Sequence, residues 1–242
     1  NQLRKRGIID TAVLNAMSIV PRHRFVNTIY RSIAYTDNPL PIGHGQTISQ
    51  PYVVALMTQL LQVDHKHKVL EIGTGCGYQT AILSILSKKV ITFEVLSSLS
   101  TKSRKRLTKL GYKNVDFHCG DGKNGLSKEA PYDRILVSAA PETIPNLLIE
   151  QLAPKGCMVI PVGSLYDQFI HIISKDKNGQ VVKIIIENIG EIPHTFRITE
   201  GNTTDSAVLF NSSIGDNSNP IVPGQLSTIT FEVDQSGTFH IR

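Results

Sequence analysis

An α/β fold is predicted for this chain of 242 residues: a mostly parallel, doubly wound (Rossmann-like) sheet followed by a β-rich C-terminal segment. Three observations predict it. Apolar runs of strand length alternate with helical patterns. A strand, a glycine turn and a helix start follow one another in KVLEIGTGCGYQT (residues 68–80). The chain after residue 190 reads as loops and short strands. Strands separated by helices pair in parallel and bind ligands at their carboxyl ends.

The elements follow in order from these patterns. Helices are predicted at residues 11–17, 50–62, 78–87, 98–110 and 144–152, and strands at residues 68–72, 90–95, 115–118, 134–138 and 157–162. Val69, Leu70 and Ile72 are the apolar positions of the first of these strands, and Pro51 fits the first turn of a helix. Residues 169–174 and 181–187 form a predicted hairpin, because the sequence KNG lies between them.

The net charge of +5 is concentrated in the helix predicted at 98–110. Leu99, Leu107 and Leu110 supply its inward contacts, and Gly111 is placed to end it. Its basic residues are Lys102, Arg104, Lys105, Arg106 and Lys109. A nucleic-acid patch is one interpretation, but no aromatic residues or basic loop accompany these charges. We favour a solvated helix face and expect no nucleic-acid partner.

Composition is typical of a soluble enzyme, with 40% hydrophobic and 19% charged residues. No apolar run reaches the length of a membrane span, and the first residues lack the apolar stretch of a signal peptide. Cys76, Cys119 and Cys157 are an odd number without metal-ligand spacing or a disulfide framework, which favours a reducing compartment. We therefore expect a cytoplasmic protein without a membrane partner. A monomer is expected as well, although the sequence itself does not determine the oligomeric state.

The glycine turn indicates which cofactor the chain binds. Gly73, Gly75 and Gly77 follow the strand in the spacing G-x-G-x-G, whereas a dinucleotide site has G-x-G-x-x-G. Glu94, at the end of the next apolar run, can accept both hydroxyls of a ribose. Glu71, beside the turn, would repel phosphates and attract a cationic group. S-adenosylmethionine fits both points, although the glycines could instead form only a tight turn between strand and helix.

Several sequence segments together resemble the protein-L-isoaspartate O-methyltransferase family. They are PRHRFV, PIGHGQTISQPYVVALM, VLEIGTGCGYQTA, NVDFHCGDG and YDRILVSAAPETIPNLLIEQLAPKGCMVIPVG. The glycine turn alone would indicate only the class I S-adenosylmethionine-dependent methyltransferases, and GQTISQP is the discriminating segment. The resemblance runs to about residue 188 and predicts a methyltransferase domain at 1–190.

The resemblance implies an enzyme of protein repair. The expected reaction transfers a methyl group from S-adenosylmethionine to the free carboxylate of L-isoaspartyl residues in damaged proteins and peptides. The ester would then cyclise to a succinimide, and hydrolysis would return some normal aspartate. Two other functions stay open: a class I methyltransferase acting on a small molecule or RNA, and a binding module without catalytic activity.

Site residues follow from the same motifs. By resemblance, Ser49 lies at the substrate carboxylate as the catalytic residue, with Gln46 and Thr47 beside it in the substrate site. A serine before Gln-Pro could instead cap the helix that begins near Pro51. The predicted cofactor site comprises Gly73, Thr74, Gly75, Glu94, Val95, Asp121 and Gly122, with the last two at the adenine end. No metal site is predicted: His65 and His67 are assigned to a solvated loop, and His44 at most to the pocket wall.

The tail, residues 191–242, departs from the family. Family members usually finish with a strand resembling RFVPL, which contributes to the substrate pocket, and no such segment follows Asn188. The tail instead resembles an incomplete cupredoxin-like domain, with Pro193-His194 similar to its first ligand segment and PGQLSTITFEVDQSGTFHI similar to its last strands. A lone His194 cannot form a copper site. A divergent β extension packed on the methyltransferase is the alternative.

Overall fold

A seven-stranded sheet forms the centre of the computed structural model, which describes residues 2–164, 167–186, 231–233 and 239–241. The sheet has the strand order β5-β4-β3-β6-β7-β8-β9. Its strands are β3 (Lys68–Ile72), β4 (Lys89–Glu94), β5 (Val115–Cys119), β6 (Tyr132–Val137), β7 (Leu152–Ser164), β8 (Asp167–Lys175) and β9 (Val181–Ile186). Strands β3 to β7 pair in parallel, and β8 and β9 add an antiparallel edge. The predicted mostly parallel, doubly wound sheet is confirmed.

Six helices and a small hairpin accompany the sheet in the described part of the chain. The helices are α1 (Gln2–Lys5), α2 (Thr11–Ile19), α3 (Pro51–Leu61), α4 (Tyr78–Leu86), α5 (Ser97–Lys109) and α6 (Asn146–Glu150). Short 3₁₀ turns occur at Arg22–Arg24, Thr28–Ile33, Gly122–Asn124 and Ser127–Glu129. The hairpin consists of β1 (Leu40–Gly43) and β2 (Gln46–Ile48), which pair antiparallel. None of the helices described has the length and apolar character needed to cross a membrane.

Alternation along the strands buries both faces of the sheet. One face packs Val69, Val90, Leu136 and Val159 against the α3–α4 side, in a cluster that also contains Leu83. The neighbouring residue on each of these strands points to the other face, where Leu70, Ile91, Ile135 and Ile160 belong to the cluster that contains Leu148 of α6. Because side chains alternate along a strand, a strand buried on both faces has a nearly continuous apolar sequence.

Helix α5 agrees with the solvated-face interpretation. Leu99 and Leu107 are buried, whereas Lys102 and Lys105 are exposed. Arg106 is the exception, because it is half-buried and donates to the carbonyl oxygen of Cys76 at 2.6 Å.

Most predicted bounds differ from the observed ones by one or two residues, and the largest difference is at the junction of α6 and β7. The last predicted helix, 144–152, is shorter and ends at Glu150, and strand β7 begins at Leu152, well before the predicted residue 157. A bulge explains this difference: Tyr132 pairs with Leu152 but Arg134 with Cys157, so four residues of β7 oppose one of β6. The sequence APKG in this bulge is typical of a turn rather than a strand.

The predicted tail at 191–242 lies outside the described residues except for two short strands. They are β10 (Phe231–Val233) and β11 (Phe239–Ile241), which pair antiparallel with each other. The predicted domain boundary near residue 190 and the Pro193-His194 segment also lie outside the described residues, as does Glu187 at the end of the predicted hairpin.

Candidate active site

The glycine turn lies at the carboxyl end of β3, in the middle of the sheet. The backbone N–H groups of Gly73 and Thr74 both donate to the carbonyl oxygen of Phe93, at 2.8 and 3.0 Å. Gly75 has a φ of +53°, and a β-carbon there would lie 3.3 Å from Cδ1 of Ile42 in the β1–β2 hairpin. A side chain at Gly75 would therefore be strained and would enter the narrow space between the turn and the hairpin.

Glu94 ends β4 beside this turn and is buried, with 6% of its surface exposed. Its Oε2 accepts the backbone N–H of Gly75 at 2.7 Å, and its Oε1 accepts that of Leu96 at 3.0 Å. Each carboxylate oxygen has two lone pairs, so each keeps one acceptor position for a ligand hydroxyl. The carboxylate thus holds the turn in place and remains able to bind a diol.

A cavity of about 450 Å³ opens between the glycine turn, the β1–β2 hairpin and the start of α3. This volume lies within the range of small-molecule sites. All ten predicted site residues line it: Gln46, Thr47, Ser49, Gly73, Thr74, Gly75, Glu94, Val95, Asp121 and Gly122. The structure therefore brings the predicted substrate and cofactor residues to one cavity, while their individual roles stay predictions.

Ser49 does not cap α3, so the helix-cap alternative is wrong. The N-cap residue is Gln50, whose side chain makes no capping hydrogen bond, and Asp37 Oδ1 accepts the backbone N–H of Tyr52 at 2.8 Å. Asp37 also forms an ion pair with Arg6. The first turn of α3 is therefore capped by the carboxylate of Asp37, which is distant in sequence. Within the described residues, the hydroxyl of Ser49 has no hydrogen-bond partner.

The prediction that Glu71 meets a cationic ligand group beside the turn is also wrong. Glu71 is fully buried on the face of the sheet under α4, and it does not line the cavity. Its Oε2 accepts the hydroxyls of Thr80 and Thr92, each at 2.6 Å. Burial raises the pKa of Glu71 from 4.5 to about 7; the two hydroxyl bonds oppose this rise and the nearby Glu94 carboxylate adds to it.

Asp121 and Gly122 follow β5 and line the cavity. The carboxylate of Asp121 accepts the backbone N–H of Lys123 at 3.0 Å and forms an ion pair with the Lys123 ammonium at 3.1 Å. Gly122 is buried, and a β-carbon there would lie 2.8 Å from Ile72 and 2.9 Å from Phe93. Close packing against the sheet therefore requires glycine at position 122.

Sequence reasoning missed several residues of the cavity wall. Gln79, Met57 and Ser138 line the cavity, and Gln79 Nε2 donates to Thr58 Oγ1 at 2.9 Å. His44, expected at most in the pocket wall, does line the cavity, and its Nε2 lies 2.7 Å from Ser98 Oγ. Ser138 could have been found, because it directly follows a central parallel strand, where ligand-contacting residues collect.

The described residues contain no group of three or more His, Cys, Asp or Glu side chains that could hold a metal ion. His65 lies in an exposed loop, with 78% of its side chain accessible.

The parallel sheet, the glycine turn after β3 and the carboxylate that ends β4 define a class I S-adenosylmethionine-dependent methyltransferase. Sequence comparison narrows this class, because residues 1–198 match the protein-L-isoaspartate(D-aspartate) O-methyltransferase family. The chain belongs to this family.

Individual relatives agree with the family assignment. The chain is 53% identical over 164 residues to a protein-L-isoaspartate O-methyltransferase of Picosynechococcus sp., covering 68% of this chain and 74% of the relative. It is 50% identical over 190 residues to the enzyme of that name from Dictyoglomus turgidum, covering 78% of this chain and 84% of the relative.

Solved structures give the same result. A protein-L-isoaspartate O-methyltransferase superposes with a TM-score of 0.69 at 28% identity, covering 77% of this chain and 61% of that one. A Plasmodium falciparum structure superposes with a TM-score of 0.67 at 29% identity, covering 77% of this chain and 92% of that one. It is described as a putative protein-L-isoaspartate O-methyltransferase in complex with S-adenosyl-L-homocysteine.

Proposed function

We propose that this chain transfers a methyl group from S-adenosylmethionine to the free carboxylate of L-isoaspartyl residues in damaged proteins and peptides. One observation at the site carries the proposal: Ser49, whose hydroxyl has no hydrogen-bond partner among the described residues, lines the same cavity as the glycine turn and Glu94. A hydroxyl is a suitable donor for a carboxylate whose orientation matters more than its activation.

The cavity fits the cofactor. Glu94 keeps free acceptor positions for the ribose hydroxyls, and the backbone at Gly75 leaves space that a side chain would fill. We assign cofactor binding to Gly73, Thr74, Gly75, Glu94, Val95, Asp121 and Gly122. The related Plasmodium falciparum structure is described as a complex with S-adenosyl-L-homocysteine, which supports a cofactor of this kind in this fold. When bound, S-adenosylmethionine supplies a methyl group on a sulfonium centre, which is electrophilic without help from the protein.

The chain's own residues then need to bind and aim the substrate. The substrate carboxylate is ionised at neutral pH, so no strong general base is required. Ser49 donates one hydrogen bond that orients an oxygen and leaves it nucleophilic. Gln46 and Thr47, exposed on β2, are available to bind the peptide backbone. Alignment of this kind is worth up to several kcal/mol.

The acceptor class is tested by methyl transfer. The full chain is incubated with labelled S-adenosylmethionine and, separately, with an isoaspartyl peptide, its aspartyl twin, a short RNA and small hydroxylated or amino compounds. We expect label only on the isoaspartyl peptide. Label on RNA or a small molecule, with none on the isoaspartyl peptide, would assign the chain to another methyltransferase class. No label on any acceptor would favour a binding module.

The division into a methyltransferase domain at 1–190 and a β-rich tail at 191–242 is part of the proposal. The pairing of β10 with β11 supports a β-rich tail, whereas the family match and the relatives give no support to a cupredoxin-like one, which stays a prediction. Limited proteolysis of the full chain should cut near residue 190 and leave a fragment that binds S-adenosylhomocysteine. Cleavage that begins within the sheet would contradict this division.

We further propose that the protein acts as a cytoplasmic monomer. The odd number of cysteines, all of them free thiols in the structure, is compatible with a reducing compartment. Sedimentation of the full chain at micromolar concentration should give a single species of about the mass of one chain, and a dimer would refute the monomer.

A further inference from the structure

Ser138 occupies a central position at the ligand-binding edge of the sheet. It directly follows β6, which pairs with β3, and its backbone N–H donates to the carbonyl oxygen of Ile72 at 2.8 Å. The β-carbon of Ser138 lies 3.3 Å from the place that a β-carbon on Gly73 would take. Ser138 therefore lies against the first residue of the glycine turn, and it lines the cavity.

The hydroxyl of Ser138 is available to a ligand. Ser138 is exposed, and its side chain makes no hydrogen bond within the described part of the chain. Two other polar side chains of the cavity wall are engaged: Thr74 Oγ1 lies 2.6 Å from Thr92 Oγ1, and Gln79 Nε2 donates to Thr58 Oγ1. Among the residues that the structure describes, the hydroxyls of Thr47 and Ser49 on the hairpin and α3 side of the cavity also have no hydrogen-bond partner.

Two free hydroxyls on different elements match the needs of a carboxylate substrate. A carboxylate has two oxygens with about four acceptor positions. A single donor such as Ser49 fixes one oxygen and leaves the group free to rotate about that hydrogen bond. A second donor from another element fixes the plane of the carboxylate, and hydrogen bonds to an ionised group are about twice as strong as neutral ones.

We propose that Ser138 is a second substrate-binding residue, whose hydroxyl donates to the carboxylate oxygen of the isoaspartyl residue that Ser49 does not bind. This inference rests on the proposed function and adds a residue to the substrate site. Ser138 thereby sets the direction in which the other oxygen points, and with it the alignment needed for methyl transfer.

Three variants test the inference. Ser138→Ala removes the hydroxyl, Ser138→Thr keeps it, and Ser32→Ala is the control, because Ser32 is exposed and does not line the cavity. Peptide binding is measured by calorimetry with the full chain saturated with S-adenosylhomocysteine, and the affinity for S-adenosylhomocysteine itself is measured separately.

Loss of one charge-assisted hydrogen bond should raise the Kd of Ser138→Ala for an isoaspartyl peptide roughly tenfold. Its affinity for S-adenosylhomocysteine should stay within about twofold of the wild type, since that is the effect expected of a change outside the cofactor contacts. Ser138→Thr should restore most of the peptide affinity, and Ser32→Ala should bind both ligands like the wild type.

A double variant tests whether Ser49 and Ser138 hold the same group. If both bind one carboxylate, the losses of Ser49→Ala and Ser138→Ala should not add. Wild-type peptide affinity in Ser138→Ala, or a loss of cofactor affinity as large as that for the peptide, would overturn the inference and leave the proposed function intact. A wild-type chain that neither binds nor methylates the isoaspartyl peptide would overturn both.

Discussion

Replacement of Glu94 by alanine tests the cofactor site at its best-defined contact. The carboxylate accepts the N–H groups of Gly75 and Leu96 at 2.7 and 3.0 Å, and it keeps one acceptor position on each oxygen. We expect Glu94→Ala to weaken S-adenosylmethionine binding by about 1–3 kcal/mol, because hydrogen bonds from the ribose to a charged acceptor are lost. This corresponds to roughly a fivefold to 150-fold rise in Kd.

Calorimetry with S-adenosylmethionine and with S-adenosylhomocysteine measures this change. Glu150→Ala is the matched control, because Glu150 is exposed at the end of α6 and does not line the cavity. Thermal unfolding of Glu94→Ala should also shift downward, since two backbone N–H groups at the turn lose their acceptor. If Glu94→Ala and Glu150→Ala both bind like the wild type, the assignment of Glu94 to the ribose is refuted.

Three further predictions concern neighbouring residues. Ser49→Ala should lower turnover on an isoaspartyl peptide by about ten- to a thousand-fold at nearly unchanged cofactor affinity; steady-state kinetics check this, and unchanged turnover would contradict the catalytic assignment. Gly75→Val should abolish S-adenosylmethionine binding in calorimetry, because Ile42 already limits the space there; wild-type binding would contradict the close approach. Burial raises the pKa of Glu71 to about 7, so the folded protein favours the protonated carboxyl group. The stability that this protonated group contributes is lost as pH rises from about 4.5 to 7. In urea unfolding, the free energy of unfolding of Glu71→Gln should therefore fall by about 2–3 kcal/mol less than that of the wild type over this pH window. An identical fall in both proteins would show that Glu71 does not titrate there.

The sheet and the cofactor turn could be predicted because local patterns determine them. Strand β3 was predicted with its observed bounds, since an apolar run followed directly by glycines specifies both its burial and its end. Interactions between residues distant in sequence were missed. The cap of α3 comes from Asp37, which lies fifteen residues before Tyr52, so Ser49 was a plausible alternative on local grounds.

Glu71 illustrates a second limit. Its position beside the glycines suggested contact with a ligand, but alternation along β3 turns it to the face under α4, where Thr80 and Thr92 bind it. The face of each strand can be assigned only when the packing of the helices is known. Ser138 is a different case: its place at the end of a predicted strand indicated the ligand-binding edge, but only the strand order shows that β6 lies next to β3 and the glycine turn.

The most direct test of the account follows the fate of an isoaspartyl peptide during repeated turnover. The full chain, S-adenosylmethionine and the peptide are incubated at neutral pH, and the products are separated by chromatography and identified by mass. We expect a methyl ester, then a succinimide, and then a mixture that contains the normal aspartyl peptide, none of which should form without S-adenosylmethionine. An isoaspartyl peptide that stays unchanged while the chain binds S-adenosylmethionine would contradict the account.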